Sequence, residues 1–210
     1  MKKRFFITFE GGEGSGKSTL AKLLSTHLEK EGYEVCLTKE LGGNEVGEDI
    51  RKLLLNPKHN GKIISTAELL LFEAARAQFF ENVVLPNLRQ GKIVISDRCY
   101  DSTAAYQGYG RGLDVETIHL LNKLATQGVK PDLTYLIDVS VKLGLAKTTT
   151  SEFGIADRIE QEGLPFHRRV NQGYLELAKK EPNRIKVIPY LQNQVEAMHE
   201  LIVKELPFLK

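Results

Sequence analysis

The sequence predicts an α/β protein: a three-layer α-β-α arrangement on a five-stranded, mostly parallel sheet. Three observations carry that prediction. Five short apolar runs alternate with longer segments whose apolar residues recur at helical spacing, from one end of the 210 residues to the other. Parallel strands need crossover connections, and helical crossovers cover both faces of a sheet. No linker, low-complexity stretch or internal repeat interrupts the pattern, so residues 1–210 are expected to form a single domain.

Arg4 to Phe9 is apolar enough for a buried strand, and Gly11 to Gly16 forms the turn behind it. Ser18 to Glu31 carries Leu20, Leu23, Leu24 and Leu28 on one helical face and stops at Gly32. Val35 to Leu37 is the second strand, Glu45 to Leu55 a helix ended by Asn56-Pro57, and Glu68 to Leu88 a longer helix. Gly91 precedes the strand Lys92 to Ser96. Glu116 to Ala125 is helical, Leu133 to Ile137 a strand, and His167 to Lys180 a helix. Ile185 to Ile188 and a helix over Gln194 to Leu206 complete the pattern. Thr148 to Ile155 is a polar insertion between helical patterns and a candidate mobile loop; a lid is placed at about residues 145–157.

Composition narrows the function classes. With 29 basic and 27 acidic residues the net charge is +2, which implies neither a disordered polymer nor an extended basic nucleic-acid surface, so no nucleic-acid partner is expected. Local pairs such as Arg168-Arg169 remain suited to single phosphates. The basic start Met1 to Arg4 resembles a secretion signal, but Glu10 and the glycines after it end the apolar stretch too early. No run reaches membrane-spanning length, so no membrane partner is expected. Cys36 and Cys99 lack ligand-like spacing and suit reduced thiols in a cytoplasmic protein.

The strongest chemical signal is Gly11-Gly12-Glu13-Gly14-Ser15-Gly16-Lys17-Ser18, a complete G-x-x-x-x-G-K-[ST] followed by Thr19, with a buried strand before it and an amphipathic helix after it. Glycines let several backbone N–H groups converge on phosphate oxygens, and the helix N-terminus adds partial positive charge. Lys17 is suited to the β- and γ-phosphates and the Ser18 hydroxyl to one Mg²⁺ position, so Gly11 to Thr19 form an expected ATP site. The glycine order is not G-x-G-x-x-G, which disfavours a dinucleotide fold, and Thr38-Lys39-Glu40-Leu41 lacks the aspartate of a guanine-reading element.

The strand Lys92 to Ser96 runs into Asp97 and Arg98. In a parallel sheet the carboxyl ends of strands face the ligand crevice, which puts Asp97 beside the P-loop as a second candidate Mg²⁺ position and offers the Arg98 fork to phosphate oxygens. A strand-end ion pair of Asp97 with Arg98 or a lysine is the competing reading. Glu10, between the first strand and the cradle, would repel a triphosphate unless a partner compensates it: a metal, an acceptor hydroxyl, or arginines such as Arg51 and Arg98. Phe72 and Arg76 lie four apart on the long helix and share a face, an aromatic plane and a donor suited to a nucleobase. One or both of Phe79 and Phe80 are expected in the core. Thr103 and Gln107 are also four apart and suit either a base edge or a solvated helix face.

Taken together the chain resembles bacterial thymidylate kinases. The resemblance rests on Phe9-Glu10-Gly11 with the P-loop, Thr38 to Gly43, Leu71-Phe72 with Ala74 to Gln78, Asp97-Arg98 with Ala105 to Gly108, Asp157 to Glu160, and Phe166 to Val170. It implies a P-loop kinase fold with a short lid and a homodimeric, Mg²⁺-dependent enzyme converting dTMP and ATP to dTDP and ADP. By similarity, Phe72 stacks on thymine, Arg76 binds its O4, and Thr103 and Gln107 lie near the base. Tyr106 crowds the sugar where a 2′-hydroxyl would fall, Arg51 and Arg98 hold the acceptor phosphate, Glu10 lies near sugar and phosphate, and Tyr174 helps enclose the nucleotide. Lys17, Arg98, Glu10 and Lys147 are the expected catalytic set. Two departures stand out: Leu41 replaces a usual proline, and the segment after Lys147 has none of the arginines usual in such lids. Lys147 and Arg158 are the candidate lid cations, with Lys147 preferred.

Overall fold

The most apolar runs of the chain form the middle of the sheet. We describe a computed structural model comprising residues 4–148 and 154–208. Strands β1 (Phe5–Glu10), β3 (Ile93–Asp97) and β4 (Leu133–Asp138) are buried along most of their length, whereas the edge strands β2 (Val35–Lys39) and β5 (Ile185–Pro189) are partly exposed. The order is β2-β3-β1-β4-β5 and every pairing is parallel. All carboxyl ends therefore lie along one rim, and the register sets Phe9 of β1 opposite Asp97 of β3 and Glu10 opposite Leu136 of β4.

Helices α1 (Lys17–Lys30) and α9 (Val195–Lys204) cover one face, where Leu20, Leu24, Leu28, Met198 and Ile202 pack on Ile7, Phe9, Ile95 and Ile137. The opposite face carries α8 (Leu164–Lys180), whose Phe166, Val170, Tyr174 and Leu177 join Ala104, Ala105, Leu136 and Ile185. This is the expected three-layer arrangement. Phe79 and Phe80 are both core residues, edge-to-face at 5.8 Å.

The long helix expected over residues 68–88 is interrupted. Helix α3 (Ser65–Phe79) passes through a π-helical turn, Phe80–Val84, into α4 (Leu85–Arg89), where Pro86 occupies the first turn. Pro86 has no N–H, and its ring would collide with the carbonyl four residues earlier in a regular helix. The wider turn makes room, and Asn87 Nδ2 donates to Val83 O at 2.8 Å. After β3, the short α5 (Tyr100–Thr103) also runs into a π-helical stretch, Ala104–Gly110. Helix α2 spans Glu45–Leu55, capped by Asn44, whose side chain accepts from Gly47 N. Helix α6 spans Val115–Ala125 and packs against α3. The six-residue α7 (Val141–Ala146) has no sequence signal, being short and interrupted by Gly144. That glycine is required, because a Cβ there would strike the carbonyl of Glu13 in the P-loop.

Of the expected lid, Thr149 to Phe153 lie outside the described residues. Cys36 and Cys99 are free thiols, and among the described residues no helix is long and apolar enough to cross a membrane.

Candidate active site

Strand β1 delivers the chain to the rim, and the glycines of the loop turn it back into α1. Gly16 caps α1 with φ 87°, in the left-handed region that suits glycine, and the first helical turn contains no acidic residue. The turn thus points free amides and a partial positive charge at the cleft. Lys17 lies across the loop, donating to Gly12 O at 2.8 Å and Ser15 Oγ at 3.1 Å. Burial and the nearby Arg98 bring its pKa down to about 8, against the attraction of Glu13, Asp97 and Glu10.

Ser18 Oγ donates to a carboxylate oxygen of Asp97, so the two candidate metal positions meet at the mouth of the cradle. A hydroxyl and one carboxylate are hard oxygen donors, fitting an ion that keeps waters and substrate phosphates in its remaining positions, as Mg²⁺ does. Among the described residues no cluster of three acidic, His or Cys side chains could hold a metal alone.

Arg98 is the hub. Its backbone φ is 68°, and its guanidinium donates to the Glu13 carboxylate at 2.9 Å, Gly11 O at 3.1 Å, Tyr174 OH at 3.1 Å, Ser102 Oγ at 3.2 Å and Tyr106 OH at 3.3 Å. Burial opposes its charge, but Glu13 leads a set of neighbours that holds its pKa well above the ordinary value. Glu13 also accepts from Tyr106 OH at 2.6 Å, so its side chain faces Arg98 and Tyr106 rather than the phosphate cradle. Burial opposes its ionisation too, yet Arg98, Lys17 and the Tyr106 hydroxyl bring its pKa down to about 2.

Two clefts open along the rim. One, the phosphate cleft, is lined by Glu13 to Thr19 with Lys39 and Asp97; the other, the acceptor cleft, by Phe72, Gln107, Tyr106, Ser102 and Asp157 among others. Glu13, Glu40, Arg51 and Arg98 line both. Arg51, on α2, also donates to Leu41 O at 3.4 Å, and the Glu40–Leu41 peptide is cis.

Four expected site residues sit behind this surface. Glu10 is fully buried and lines neither cleft: its carboxylate accepts from Cys99 N (2.8 Å), Ser102 N (3.3 Å), Ser102 Oγ (2.6 Å) and Tyr174 OH (2.9 Å). These hydrogen bonds come from the start of α5 and from α8, and of the two arginines the sequence suggested Arg98 acts on Glu10 through its charge. Burial and Asp101 push its pKa up to about 7 against the pull of Arg98. Tyr174 is 2% exposed and hydrogen-bonds to Arg98 and Ser102. Arg76 crosses from α3 to α6, pairing at 2.7 Å with each of Glu40, Glu73, Asn122 and Thr103, while its Nε has no hydrogen-bond partner among the described residues. Thr103 is thus an acceptor for Arg76. Phe72, Gln107 and Tyr106 do line the acceptor cleft.

Lys147 caps α7 beside Gly14 of the P-loop, but its ammonium rests on Tyr190, 4.7 Å above the ring and hydrogen-bonded to its hydroxyl. Arg158 is 3% exposed, pairs with Glu68 at 2.6 Å and donates to Leu54 O at 2.6 Å. A third cleft, lined by Gly14 to Gly16, Thr19, Lys147, Tyr190, Gln194 and Val195, has no motif in the sequence, because residues 190–195 reach the P-loop only through the fold.

A parallel sheet, a glycine-rich cradle at its central strand and a second cleft across a shared arginine define a P-loop phosphotransferase. The thymidylate kinase family model matches residues 9–202. A thymidylate kinase of Kosmotoga olearia is 46% identical over 200 residues, 95% of this chain and 94% of that one. One of Trichormus variabilis is 47% identical over 206 residues, 98% and 97% of the two chains. The crystal structure of thymidylate kinase from Ehrlichia chaffeensis superposes with a TM-score of 0.79 at 36% identity, covering 99% of this chain and all of that one. The chain belongs to the thymidylate kinase family.

Proposed function

We propose that this chain transfers the γ-phosphoryl group of ATP to dTMP, giving dTDP and ADP in the route to dTTP, with the donor on the P-loop and the acceptor in the cleft beside it. The observation that carries this reading is the continuity of the two clefts across Glu13, Glu40, Arg51 and Arg98. Two phosphate-bearing ligands laid in them would meet at the guanidiniums of Arg51 and Arg98. Phosphoryl transfer needs alignment and charge neutralisation rather than a covalent nucleophile, and an acceptor phosphate is already ionised near neutral pH. Lys17 and the α1 amides serve the donor phosphates. Arg98 gives up its bond to Glu13 for the acceptor phosphate, and Glu13, ionised down to about pH 2, is an acceptor for a sugar hydroxyl.

Ser18 and Asp97 would hold Mg²⁺, which, when bound, neutralises charge on the donor phosphates. In the acceptor cleft Phe72 offers a stacking plane and Gln107 an amide, suited to a base that presents a ring N–H. Thymine presents such a donor at N3. Glu10 and Tyr174 act through Ser102 and Arg98, which they hold in place. Lys147 reaches the transferring group only if it leaves Tyr190.

The working unit is a cytoplasmic homodimer. Leu70 on α3 and Leu120 and Leu124 on α6 are 52%, 69% and 77% exposed on two helices that pack together, an apolar surface suited to a second copy. Sedimentation equilibrium should return twice the chain mass of 23.6 kDa.

The decisive experiment measures ADP production with ATP and Mg²⁺ against dTMP, dUMP, UMP, CMP and thymidine. We expect dTMP to give the largest kcat/KM. ATP turnover that is indifferent to any nucleotide acceptor would replace this reading with that of a P-loop ATPase.

A further inference from the structure

The sheet has a second rim. Because the strands are parallel, β1 and β4 begin together at the end opposite the two clefts, and Phe6 lies four residues before Glu10, about 13 Å along an extended strand. A cleft of about 280 Å³ opens there, against about 190 Å³ for the acceptor cleft. Its floor is apolar: Phe6, 1% exposed, and the buried Leu85, with the half-buried Leu88 and Val129 beside them. Asp132 ties the two strand starts together. Its amide donates to Phe6 O at 2.8 Å, and one of its carboxylate oxygens accepts from Phe6 N at 2.7 Å.

Three cations line the same cleft: Arg4 ahead of β1, Arg89 in the last turn of α4, and Lys130 shortly before β4. None of their side chains forms a hydrogen bond or ion pair among the described residues. Elsewhere the fold pairs its arginines: Arg76, Arg98, Arg111, Arg158 and Arg184 each meet a carboxylate. Lys130 acts on Glu181 through its charge, but Glu181 already accepts twice from Arg184. Asp132 is the one carboxylate lining the cleft among the described residues, and its Oδ2 is taken by Phe6 N. Three cations against one carboxylate leave the lining net positive. A dianion placed among them relieves their mutual repulsion.

We propose that this cleft is a binding site for a phosphate monoester that carries an aromatic ring, with the ring on the floor of Phe6, Leu85, Leu88 and Val129 and the phosphate among Arg4, Arg89 and Lys130. Arginine forks match phosphate oxygens, and hydrogen bonds between two ions are stronger than neutral ones. Both halves of the ligand are needed. Inorganic phosphate leaves the apolar floor in water, and a neutral ring leaves the cations unpaired. No motif marks the site in the sequence, because Arg4, Arg89 and Lys130 come from three separated segments that only the fold brings together. The site lies apart from both clefts of the transfer reaction and does not depend on which acceptor that reaction uses.

Methyl NMR of the full-length protein, with Leu and Val methyls labelled, reads the site directly. Titration with 1-naphthyl phosphate should give saturable shifts at Leu85, Leu88 and Val129. In R89Q/K130Q, which removes two charges at exposed positions, affinity read at these methyls should fall roughly tenfold or more, the loss expected for charge-assisted hydrogen bonds. The same variant should keep the wild-type kcat/KM for dTMP. Arg4→Gln carries the same expectation should R89Q/K130Q not fold. 1-Naphthol and inorganic phosphate should each bind far more weakly than 1-naphthyl phosphate. Thymidine 5′-phosphate and O-phosphotyrosine, titrated likewise, rank a nucleotide against a phosphorylated aromatic amino acid as the source of the ligand. Absence of shifts at the three residues overturns the proposal, as does wild-type affinity in the charge-removed variants. Equal binding of 1-naphthol would reduce the cleft to an apolar recess, and equal binding of inorganic phosphate to a basic patch that holds an adventitious ion only; either result overturns the assigned ligand class.

Discussion

Replacing Glu13 by glutamine removes one charge from the junction of the two clefts while keeping an oxygen for the Tyr106 hydroxyl. The carboxylate lies 2.9 Å from Arg98, and both side chains are less than a quarter exposed, 18% and 20%. Its pKa falls from 4.5 to about 2 in the folded chain. At about 1.4 kcal/mol for each tenfold, that difference caps the stabilisation at about 3.4 kcal/mol. The unfolded chain binds the proton more tightly, so this stability is fully present above pH 4.5 and is lost as pH falls toward 2. We therefore expect E13Q to be less stable than wild type by roughly 2–3 kcal/mol at pH 7, with the gap smaller by about 1.4 kcal/mol at pH 3.5. Urea unfolding followed by circular dichroism at the two pH values measures both. A gap that is absent at pH 7, or equal at the two pH values, would refute the assignment of Glu13 as the ionised partner of Arg98.

Lys17→Ala should lower kcat/KM by roughly 10² or more while the urea midpoint stays close to wild type. Because the Lys17 ammonium titrates at about 8 without nucleotide, ATP binding at pH 8.5 should take up a proton, seen by calorimetry in buffers of different ionisation enthalpy and lost in K17A. Tyr106→Ala should relax discrimination between dTMP and ribothymidine monophosphate, whereas Tyr106→Phe should keep it and lose activity through the freed Glu13; equal ratios in wild type and Y106A would remove the ring from sugar selection. Lys147→Met should slow single-turnover transfer at saturating ATP and dTMP with little change in dTMP dissociation. An unchanged transfer step would leave Lys147 with its contact to Tyr190 alone.

The sheet and the phosphate cradle were legible in the sequence because their causes are local. A buried parallel strand needs a continuous apolar run, a turn that aims amides at phosphate needs glycines at fixed spacing, and the helix behind it needs one apolar face. The adjacency of Ser18 and Asp97 followed from the same logic, since parallel strands share a rim. The interior of the acceptor side was not legible. Arg76 and Phe72 are four apart on one helix, yet Phe72 faces the cleft while Arg76 is held behind it by Glu40, Glu73, Asn122 and Thr103, which come from four different places in the chain. Glu10 beside the P-loop needed a compensating partner by its charge alone, but its position in the chain did not reveal the four hydrogen-bond donors from α5 and α8 and their neighbouring turn that hold it. The π-helical turn at Phe80 to Val84 depends on one proline within an otherwise regular helical pattern. In each case the deciding partner is remote in the chain or the geometry departs from the 3.6-residue period. Periodicity reports which face a side chain occupies; which charge it meets there is decided only when the layers pack.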